Sequence, residues 1–316
     1  MIGYENPTNG YDIIGDIHGE AGALERLLGK LGYELKDGCW QHCSRQVIFL
    51  GDFIDQGLEQ KRVLEVVMPM VQEDHALAVM GNHEFNALAF HTPDGEGGWL
   101  RSHTEKNIGQ HQAFLNEYQD PEELESVLHF FWSLPLWIEL EGLRVIHACW
   151  DEQQLQMLET KHAGQRLTPE LLRKANTKDC WEYDAIETLL KGRELRLPEG
   201  HEGFTDKYNI RRFDVRVAWW DSNATTYREA FMGPEEARKS IPAHLTNGDH
   251  LVSYEPKERP LFLGHYWLNG LPRPLTPNIA CTDYSVAREG GKLVAYQWAG
   301  ERELLDKNFI SVPARL

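Results

Sequence analysis

Basic charge and long hydrophobic runs are scarce in this sequence. Its 316 residues contain 32 lysines and arginines against 49 aspartates and glutamates, which gives a formal net charge of −17. A protein that follows a nucleic-acid backbone needs a basic stripe, so nucleic acid is not expected as the main partner. No apolar run approaches the ~20 residues that span a bilayer, so no membrane association is expected. A phosphate substrate stays compatible with the acidic charge, because bound divalent cations reverse the local field.

Cysteine is also scarce, and the five cysteines are scattered at positions 39, 43, 149, 180 and 281. An odd number of scattered cysteines is typical of free thiols in a reducing cytoplasm. Residues 1–10 are polar and lack the basic and apolar regions of a targeting segment. We therefore predict a cytoplasmic protein. A metal site of Cys39, Cys43 and His42 is an alternative, which the lack of a second ligand pair disfavours.

Short apolar runs, by contrast, are present, and each of them ends in polar residues. These runs occupy residues 11–14, 47–50, 76–80, 145–146 and 261–263. Their length and apolarity predict buried strands that are covered on both faces. In open α/β sheets the ligand site lies beyond the carboxyl ends of the strands. The residues that follow the five runs are therefore predicted to converge, although they lie far apart in the sequence.

The converging residues are of the types that bind metal ions. The runs lead into GDIHG (residues 15–19), GDFIDQG (51–57), GNHE (81–84), a histidine at 147 and a Gly-His pair at 264–265. A site for two metals requires six ligands from this set, namely Asp16, His18, Asp52, Asn82, His147 and His265. In an extended chain Asp16 and His18 point to the same side, which suits two ligands of one metal. Asp52 is the candidate for the carboxylate that bridges both ions. Oxygen and imidazole ligands without thiolate favour Mn, Fe, Zn or Co.

Three of these ligands also have structural alternatives. Asn82 could instead cap the helix predicted at 85–90. A lone histidine such as His147 or His265 at a strand end is often a packing residue. Their place on the same predicted sheet edge as the other motifs favours the metal-binding interpretation.

The remaining pattern predicts a single domain over residues 1–316. Helical spacing of apolar residues predicts crossover helices at 20–31 and 59–71. Residues 151–258 are charged and broken by proline and glycine, which predicts a largely helical insertion that caps the site. Further helices and strands are expected at 108–118, 121–132, 138–140, 143–146 and 293–298.

Together, the motifs GD-x-HG, GD-x-x-D and GNHE with two later histidines resemble the calcineurin-like metallophosphoesterase superfamily. The most similar branch is phosphoprotein-phosphatase-like and includes bacterial serine/threonine or tyrosine phosphatases and symmetric diadenosine tetraphosphate hydrolases. The resemblance covers residues 11–91, 143–150 and roughly 260–298. It implies an α/β fold in which a calcineurin-like β-sandwich of two mixed sheets is flanked by helices. It also implies two divalent metal ions that activate a water for phosphoric ester hydrolysis.

The resemblance further implies that His83 protonates the leaving group while Asp55 orients its ring. The physical reason is that a carboxylate fixes the imidazole tautomer and favours the charged, proton-donating form. The alternative is that His83 is another metal ligand.

Position 56 departs from the pattern of that branch, which usually reads GD-x-x-D-R-G with an arginine that holds the substrate phosphate. Gln56 has neither the charge nor the bidentate geometry of arginine. The first candidate to replace it is Arg101, followed by the arginines at positions 211, 212 and 216. Tyr284 lies in a segment that resembles the final hairpin of those phosphatases and could reach the substrate. His91 and His103 could also line the pocket.

The predicted function is hydrolysis of phosphomonoesters, on a phosphorylated protein or on aryl or small phosphate esters. The aromatic residues at positions 99, 219, 220, 267 and 284 could line an aryl pocket, although core packing is the commoner role of such residues. Three alternatives stay open at this point: hydrolysis of symmetric dinucleoside polyphosphates, hydrolysis of phosphodiesters, and a non-catalytic metal-binding scaffold. The intact ligand set with His83 argues against the scaffold.

Overall fold

A computed structural model describes residues 9–162, 164–205 and 211–315 of the chain. In chain order its elements are β1 (Tyr11–Ile14), α1 (Ala21–Leu31), β2 (Glu34–Lys36), β3 (Cys39–Gln41), β4 (Gln46–Phe49), α2 (Gln60–Gln72), β5 (Ala76–Ala78), α3 (Asn82–Phe90), α4 (Glu105–Glu117), α5 (Pro121–Ser133), β6 (Trp137–Glu139), β7 (Arg144–Ile146), α6 (Glu152–His162), α7 (Pro169–Ala175), α8 (Trp181–Lys191), β8 (Glu194–Arg196), β9 (Phe204–Thr205), β10 (Arg211–Arg212), β11 (Asp214–Arg216), α9 (Tyr227–Ala230), α10 (Glu235–Arg238), β12 (Leu261–Leu263), β13 (Ile279–Cys281), β14 (Asp283–Tyr284), β15 (Lys292–Trp298), a short 3₁₀ helix (Asp306–Asn308) and β16 (Phe309–Pro313).

The first sheet has six strands in the order β14-β15-β1-β4-β5, with β16 paired to β15. Strands β1, β4 and β5 run parallel, whereas β15 is antiparallel to β1. Ile14 lies opposite Phe49, and Phe49 lies opposite Ala78, so the three parallel strands end at the same level. The crossover helices α1 and α2 cover one face with buried leucines and valines. This register brings the loops after the three strands together.

The second sheet has four strands in the order β13-β12-β7-β6 and is also mixed. One hydrophobic cluster joins Ile13, Ile48 and Val79 of the first sheet to Val145 and Phe262 of the second. The alternate residues of the first sheet, including Ile14 and Phe49, belong to the helix-side core. The period-2 alternation of strand side chains thus separates two apolar layers. The predicted α/β sandwich of two mixed sheets flanked by helices is confirmed.

The segment 151–258 is helical only in its first part, where α6, α7 and α8 lie. Its second part contains two antiparallel ribbons, β8 with β11 and β9 with β10. Leu195, Val215 and Val217 pack with Phe231 and Ile241 in a small separate core. The sequence carries a signal for the first ribbon, because apolar and charged residues alternate over 194–197 and 214–217. The helical expectation overlooked that alternation. Residues 163 and 206–210 of the predicted insertion lie outside the described residues, and its boundaries stay a prediction.

Within the described residues, no helix is long and apolar enough to cross a membrane. All five cysteines are free thiols. The localisation stays a prediction.

Candidate metal centre and active site

The strand ends approach one another so closely that two positions admit only glycine. A Cβ added at Gly51, where φ is +86°, would lie 2.3 Å from the backbone nitrogen of Gly81. A Cβ at Gly264 would lie 2.1 Å from Oδ1 of Asp16. The backbone N–H groups of Ile17 and His18 donate to the carbonyl oxygen of Asp52, at 3.1 and 2.9 Å. The loops after β1, β4, β5 and β12 therefore form one packed edge.

The same edge contains a concentration of strained backbone. On the loops after β1, β4 and β12, six residues other than glycine have φ between 46° and 72°, namely His18, Asp52, Asp55, Gln56, His265 and Trp267. This left-handed region is uncommon for residues with a Cβ, and strain of this kind concentrates at functional sites.

The structure brings all six predicted metal ligands to one centre, with Asp52 in the middle. Oδ2 of Asp52 lies 3.4 Å from Nε2 of His147 and 3.7 Å from Nε2 of His18. Oδ2 of Asp16 lies 4.0 Å from Nε2 of His18. Two groups of donor atoms, each within 4.8 Å, share Asp52: one with His18 and His83, the other with His147 and His265. This is the geometry expected of a bridging carboxylate, and the individual ligand roles stay predictions.

Asn82 completes the second group, since its Oδ1 lies 3.3 Å from Nε2 of His147. The alternative role of Asn82 as a helix cap does not fit the structure. Gly81 is the N-cap of α3, and Asn82 is the first helical residue. Its side chain is therefore not engaged in capping.

Two histidine rings are oriented by backbone carbonyls. Nδ1 of His18 lies 3.0 Å from the oxygen of Ile54, and Nδ1 of His147 lies 2.6 Å from the oxygen of Leu50. An Nδ1–H donated to a carbonyl fixes the tautomer and leaves Nε2 as the metal-binding atom. Both Nε2 atoms are the ones that face Asp52.

The charges of the centre also fit bound cations. Burial, together with the nearby carboxylates of Asp283 and Asp52, raises the pKa of Asp16 well above its usual range. Burial, followed by the charge of Arg216, lowers the pKa of His265 well below the usual value. Both ring nitrogens of His265 are buried and form no hydrogen bond within the described residues. A divalent metal ion would stabilise the buried carboxylate of Asp16 and would bind the unpaired ring nitrogens of His265.

His83 lies on the exposed side of this centre, with 19% of its side chain accessible. Its Nδ1 is 2.5 Å from Oδ2 of Asp55, and its backbone N–H donates to Oδ1 of Asp52 at 2.9 Å. Burial alone would lower the pKa of His83, but Asp52 and Asp55 outweigh it and raise that pKa to about 9. The Asp55 contact thus favours the protonated ring, which is the form that can donate a proton. Nε2 of His83 also lies 3.9 Å from Oδ2 of Asp52, so its alternative role as a ligand stays open.

The sequence reasoning missed His111 and Glu84. Nδ1 of His111 in α4 lies 2.8 Å from Oδ1 of Asp55, so one carboxylate orients two histidines. Glu84 accepts hydrogen bonds from the backbone N–H groups of Asp52 (2.8 Å), Phe53 (2.8 Å) and Gly81 (3.0 Å). Its position three residues after an N-cap glycine is that of a capping box, which the sequence did signal. No sequence pattern indicated His111, because its partner is 56 residues away.

The centre opens into a cavity of about 2110 Å³. Asp52, Asn82, His83 and His265 lie at its base. Further lining residues belong to α4, and residues 202–205, 211, 216, 232–238 and 240 of the insertion form its insertion-side wall. The residues predicted to cap the site therefore contribute to its lining.

The predicted substrate-binding residues separate into two groups. Gln56, Arg101, Arg211 and Arg216 line the cavity, whereas Tyr284 is not among the lining residues. The Tyr284 side chain is buried, and its hydroxyl accepts the backbone N–H of Arg273 at 3.2 Å. The expectation that Tyr284 reaches the substrate is therefore not met, because its hairpin turns the ring into the core. The residues at 91, 103 and 212 are likewise not among those that line this cavity.

Most of the aromatic residues that were candidates for an aryl pocket also lie away from the cavity. Of the five aromatic positions, Trp267 is the one among the described residues that lines the cavity. Trp99 stacks on His103, with ring centroids 4.8 Å apart. Trp219 is fully buried, and its Nε1–H donates to the hydroxyl of Tyr266 at 2.9 Å. Core and surface packing account for most of these rings.

The lining arginines differ in their partners. Arg211 pairs with Glu202 at 3.5 Å, and Arg238 pairs with Glu235 at 2.8 Å. Arg101 instead donates to the neutral amide of Gln110 at 2.8 Å. Arg216 has a buried Nε without a hydrogen bond in the described residues, and its charge reaches His265. The positive charges of Arg101 and Arg216 are therefore not neutralised by a carboxylate in direct contact and can attract an anionic ligand.

Fold and site together define a class of protein, an α/β sandwich with a carboxylate–histidine centre suited to two metal ions. The sequence model of the calcineurin-like phosphoesterase family matches residues 11–244. The chain therefore belongs to the calcineurin-like phosphoesterase family.

Two curated relatives carry the name bis(5′-nucleosyl)-tetraphosphatase PrpE [asymmetrical]. The protein of Oceanobacillus iheyensis is 34% identical over 142 residues, which are 43% of this chain and 54% of that relative. The protein of Halalkalibacterium halodurans is 43% identical over 74 residues, which are 23% of this chain and 30% of that relative. The chain thus spans at most about half the length of these relatives. Their name specifies asymmetrical cleavage, whereas the sequence analysis had considered the symmetrical kind.

Two solved structures share the fold. A cold-active protein-tyrosine phosphatase of a Shewanella species has a TM-score of 0.50 and 17% identity, with 98% of this chain and 82% of that chain covered. A serine/threonine phosphatase of Saccharomyces cerevisiae similar to human PP5 has a TM-score of 0.50 and 15% identity, with 97% and 83% covered. At these identities the likeness concerns the fold alone.

Proposed function

We propose that this protein hydrolyses phosphoric monoesters at a dinuclear metal centre, with His83 as the proton donor to the leaving group. The observation that carries the proposal is the position of the Asp55–His83 pair beside the Asp52-centred ligands at the base of the cavity. A metal centre and a proton donor at one cavity base are the two components that ester hydrolysis requires.

The ligands fit two ions that share Asp52. Asp16 and His18 would hold one ion with Asp52, while Asn82, His147 and His265 would hold the other with it. When bound, the metal ions neutralise phosphate charge and lower the pKa of a water molecule. Oxygen and imidazole donors suit manganese, iron or zinc.

The proposed role of His83 as proton donor follows from its contacts with the carboxylates of Asp55 and Asp52. Asp55 holds Nδ1, so Nε2 is the atom that donates a proton toward the centre. His111 holds the other oxygen of Asp55, which restricts rotation of that carboxylate. The leaving oxygen receives the proton as its bond to phosphorus breaks, which avoids expulsion of an unstable alkoxide.

Arg101 and Arg216 are the residues we propose for phosphate binding in place of an arginine at position 56. They line the cavity and have no carboxylate partner within 4.0 Å in the described part of the chain. Gln56 remains near the centre, with its side-chain nitrogen 3.4 Å from Nε2 of His18. Its amide could bind a phosphate oxygen without adding charge.

The test is hydrolysis of p-nitrophenyl phosphate, a phosphotyrosine peptide and a phosphoserine peptide with Mn²⁺ added. We expect metal-dependent turnover that is removed by a chelator and restored by the ion. Asp214→Asn is a matched control, since Asp214 is an exposed partner of Arg196 outside the centre. Absence of turnover in metal-loaded protein would contradict the proposed function and favour a binding scaffold.

A second candidate function is hydrolysis of dinucleoside tetraphosphates. The cavity of about 2110 Å³ favours it, because typical small-molecule sites enclose ~300–1,000 Å³. The name of the curated relatives points the same way. Diadenosine tetraphosphate should then exceed every monoester in kcat/KM by about tenfold or more. Chromatography distinguishes ATP with AMP, the asymmetrical products, from two ADP molecules.

A further inference from the structure

Away from the catalytic edge, a second group of metal-binding side chains is formed by Cys39, Glu73 and His75. Their donor atoms all lie within 4.8 Å of one another. Cys39 begins β3, Glu73 follows the last residue of α2, and His75 directly precedes β5. His75 lies before its strand, whereas the catalytic residues follow theirs. Seven residues of extended chain from His75 to Asn82 place the two groups about 20 Å apart.

The backbone around each donor is held by hydrogen bonds. Asp37 and Gly38, both with positive φ, form the two-residue turn of the β2–β3 hairpin and leave Cys39 paired with Lys36. The N–H of His75 donates to the oxygen of Met70 at 2.8 Å, and its carbonyl accepts from Val47 at 3.3 Å. Three donors on anchored elements have little conformational entropy to lose when an ion binds.

We propose that Cys39, Glu73 and His75 form a mononuclear site for a borderline divalent metal ion, with Zn²⁺ as the preferred occupant. One thiolate, one imidazole and one carboxylate are the three ligand types that zinc combines, and a water molecule would complete the tetrahedron. This set differs from the catalytic centre, which contains no thiolate. The ion would join the β2–β3 hairpin to the end of α2 and the start of β5.

The contact between Cys39 and Glu73 supports this assignment. The Cys39 side chain is buried, and its Sγ lies within 4.8 Å of a carboxylate oxygen of Glu73. Its thiol donates to the carbonyl oxygen of Trp40 at 3.7 Å. A metal ion would bind the thiolate and the carboxylate together, and the thiol proton would pass to the solvent. Glu73 is exposed and His75 is partly exposed, so an ion can enter from that side.

The group differs from the one that the sequence suggested. Nδ1 of His42 accepts the backbone N–H groups of Ser44 and Arg45, at 3.1 and 3.0 Å. Cys43 is exposed and is not part of the group. Glu73 and His75 take their places, although they lie more than thirty residues from Cys39 in the chain.

The test is cobalt substitution of the full-length protein, because Co²⁺ bound to thiolate has a near-ultraviolet charge-transfer band that oxygen and imidazole ligands do not give. We expect this band in the wild type and in the matched control Cys43→Ser. It should disappear in Cys39→Ser while the visible bands of cobalt in the catalytic centre remain. Elemental analysis should show one equivalent of zinc per chain less in zinc-loaded Cys39→Ser than in the zinc-loaded wild type. The hydrolytic activity of the two proteins should be the same.

Two further variants keep the test decisive if Cys39→Ser does not fold. Glu73→Gln and His75→Gln alter exposed or partly exposed residues, and each should weaken cobalt binding at this site by roughly tenfold or more, since even indirect partners of a metal contribute that much. Absence of the charge-transfer band in cobalt-loaded wild type would overturn the proposal. So would its persistence in Cys39→Ser, which would assign the band to another cysteine such as the buried Cys281.

Discussion

The base of the cavity and its insertion-side wall are built in different ways. At the base, buried side chains on strained loops converge at the ends of parallel strands. The wall consists of short ribbons and helices over a small separate core, with charged residues at its surface. The base therefore determines which reaction is possible. We propose that the wall selects which molecule reaches the base.

Replacing Asp52 is the strongest way to disrupt the base. Asp52→Asn should release both metal ions together and reduce kcat by roughly 10³–10⁵-fold, because metal coordination supplies several kcal/mol of transition-state stabilisation. Elemental analysis and kinetics on the same sample check this. The control variant Asp214→Asn, in the insertion and outside the cavity lining, should keep both ions. Full metal occupancy in Asp52→Asn would refute the bridging role.

The second prediction separates proton donation from metal binding within the base. His83→Ala should keep both metal ions while kcat falls by roughly 10²–10⁴-fold, the usual contribution of a general acid. The loss should be smaller for p-nitrophenyl phosphate, whose leaving group needs less protonation, than for a phosphoserine peptide. An equal loss on both substrates would argue against the acid role, and a loss of metal would make His83 a ligand.

The third prediction compares three arginines that line the cavity by the effect of their replacement on KM. Arg216→Gln should raise KM for phosphomonoesters by roughly tenfold, which corresponds to about 1.5 kcal/mol for a hydrogen bond to a charged phosphate. Arg101→Gln, at a position that precedes α4, should have a similar effect. Arg238→Gln is the matched control, since Arg238 already pairs with Glu235 and with the carbonyl of Arg228. An equal effect of all three variants would indicate general electrostatic attraction instead of a specific contact.

The smallest effect is expected for Gln56, which lines the cavity and lies beside His18. Gln56→Arg should change KM by less than about threefold if Arg101 and Arg216 already hold the phosphate, because a third cation then adds repulsion as well as attraction. Steady-state kinetics on p-nitrophenyl phosphate check this. A tenfold decrease of KM would mean that the phosphate site of the natural protein lacks a cation.

The catalytic edge shows how far sequence reasoning extends. Asp16, His18, Asp52, Asn82, His147 and His265 could be named because strand periodicity and the parallel-sheet rule place residues after each strand at one edge. His83 and Asp55 followed from the resemblance of the motifs. These inferences depend on local sequence and on a general property of the fold.

The insertion shows the limit of such reasoning. Its ribbons are only two or three residues long, so their alternation is weak beside the many charged residues. Tyr284 was assigned to the substrate from its segment alone, and the direction of its ring depends on how that hairpin packs. Short elements carry too few residues for periodicity to decide between alternatives.

The sequence by itself determined the ligand types, their order and their positions directly after buried strands, because these follow from short motifs. It predicted one sheet edge for all of them, whereas His147 and His265 follow β7 and β12 of the second sheet. Only the tertiary structure decided that His111 shares Asp55 with His83, that Arg216 lies beside His265, and that Cys39 lies beside Glu73 and His75. Each of these contacts joins separate elements of the chain. Such contacts depend on the packing of those elements, which no local pattern encodes.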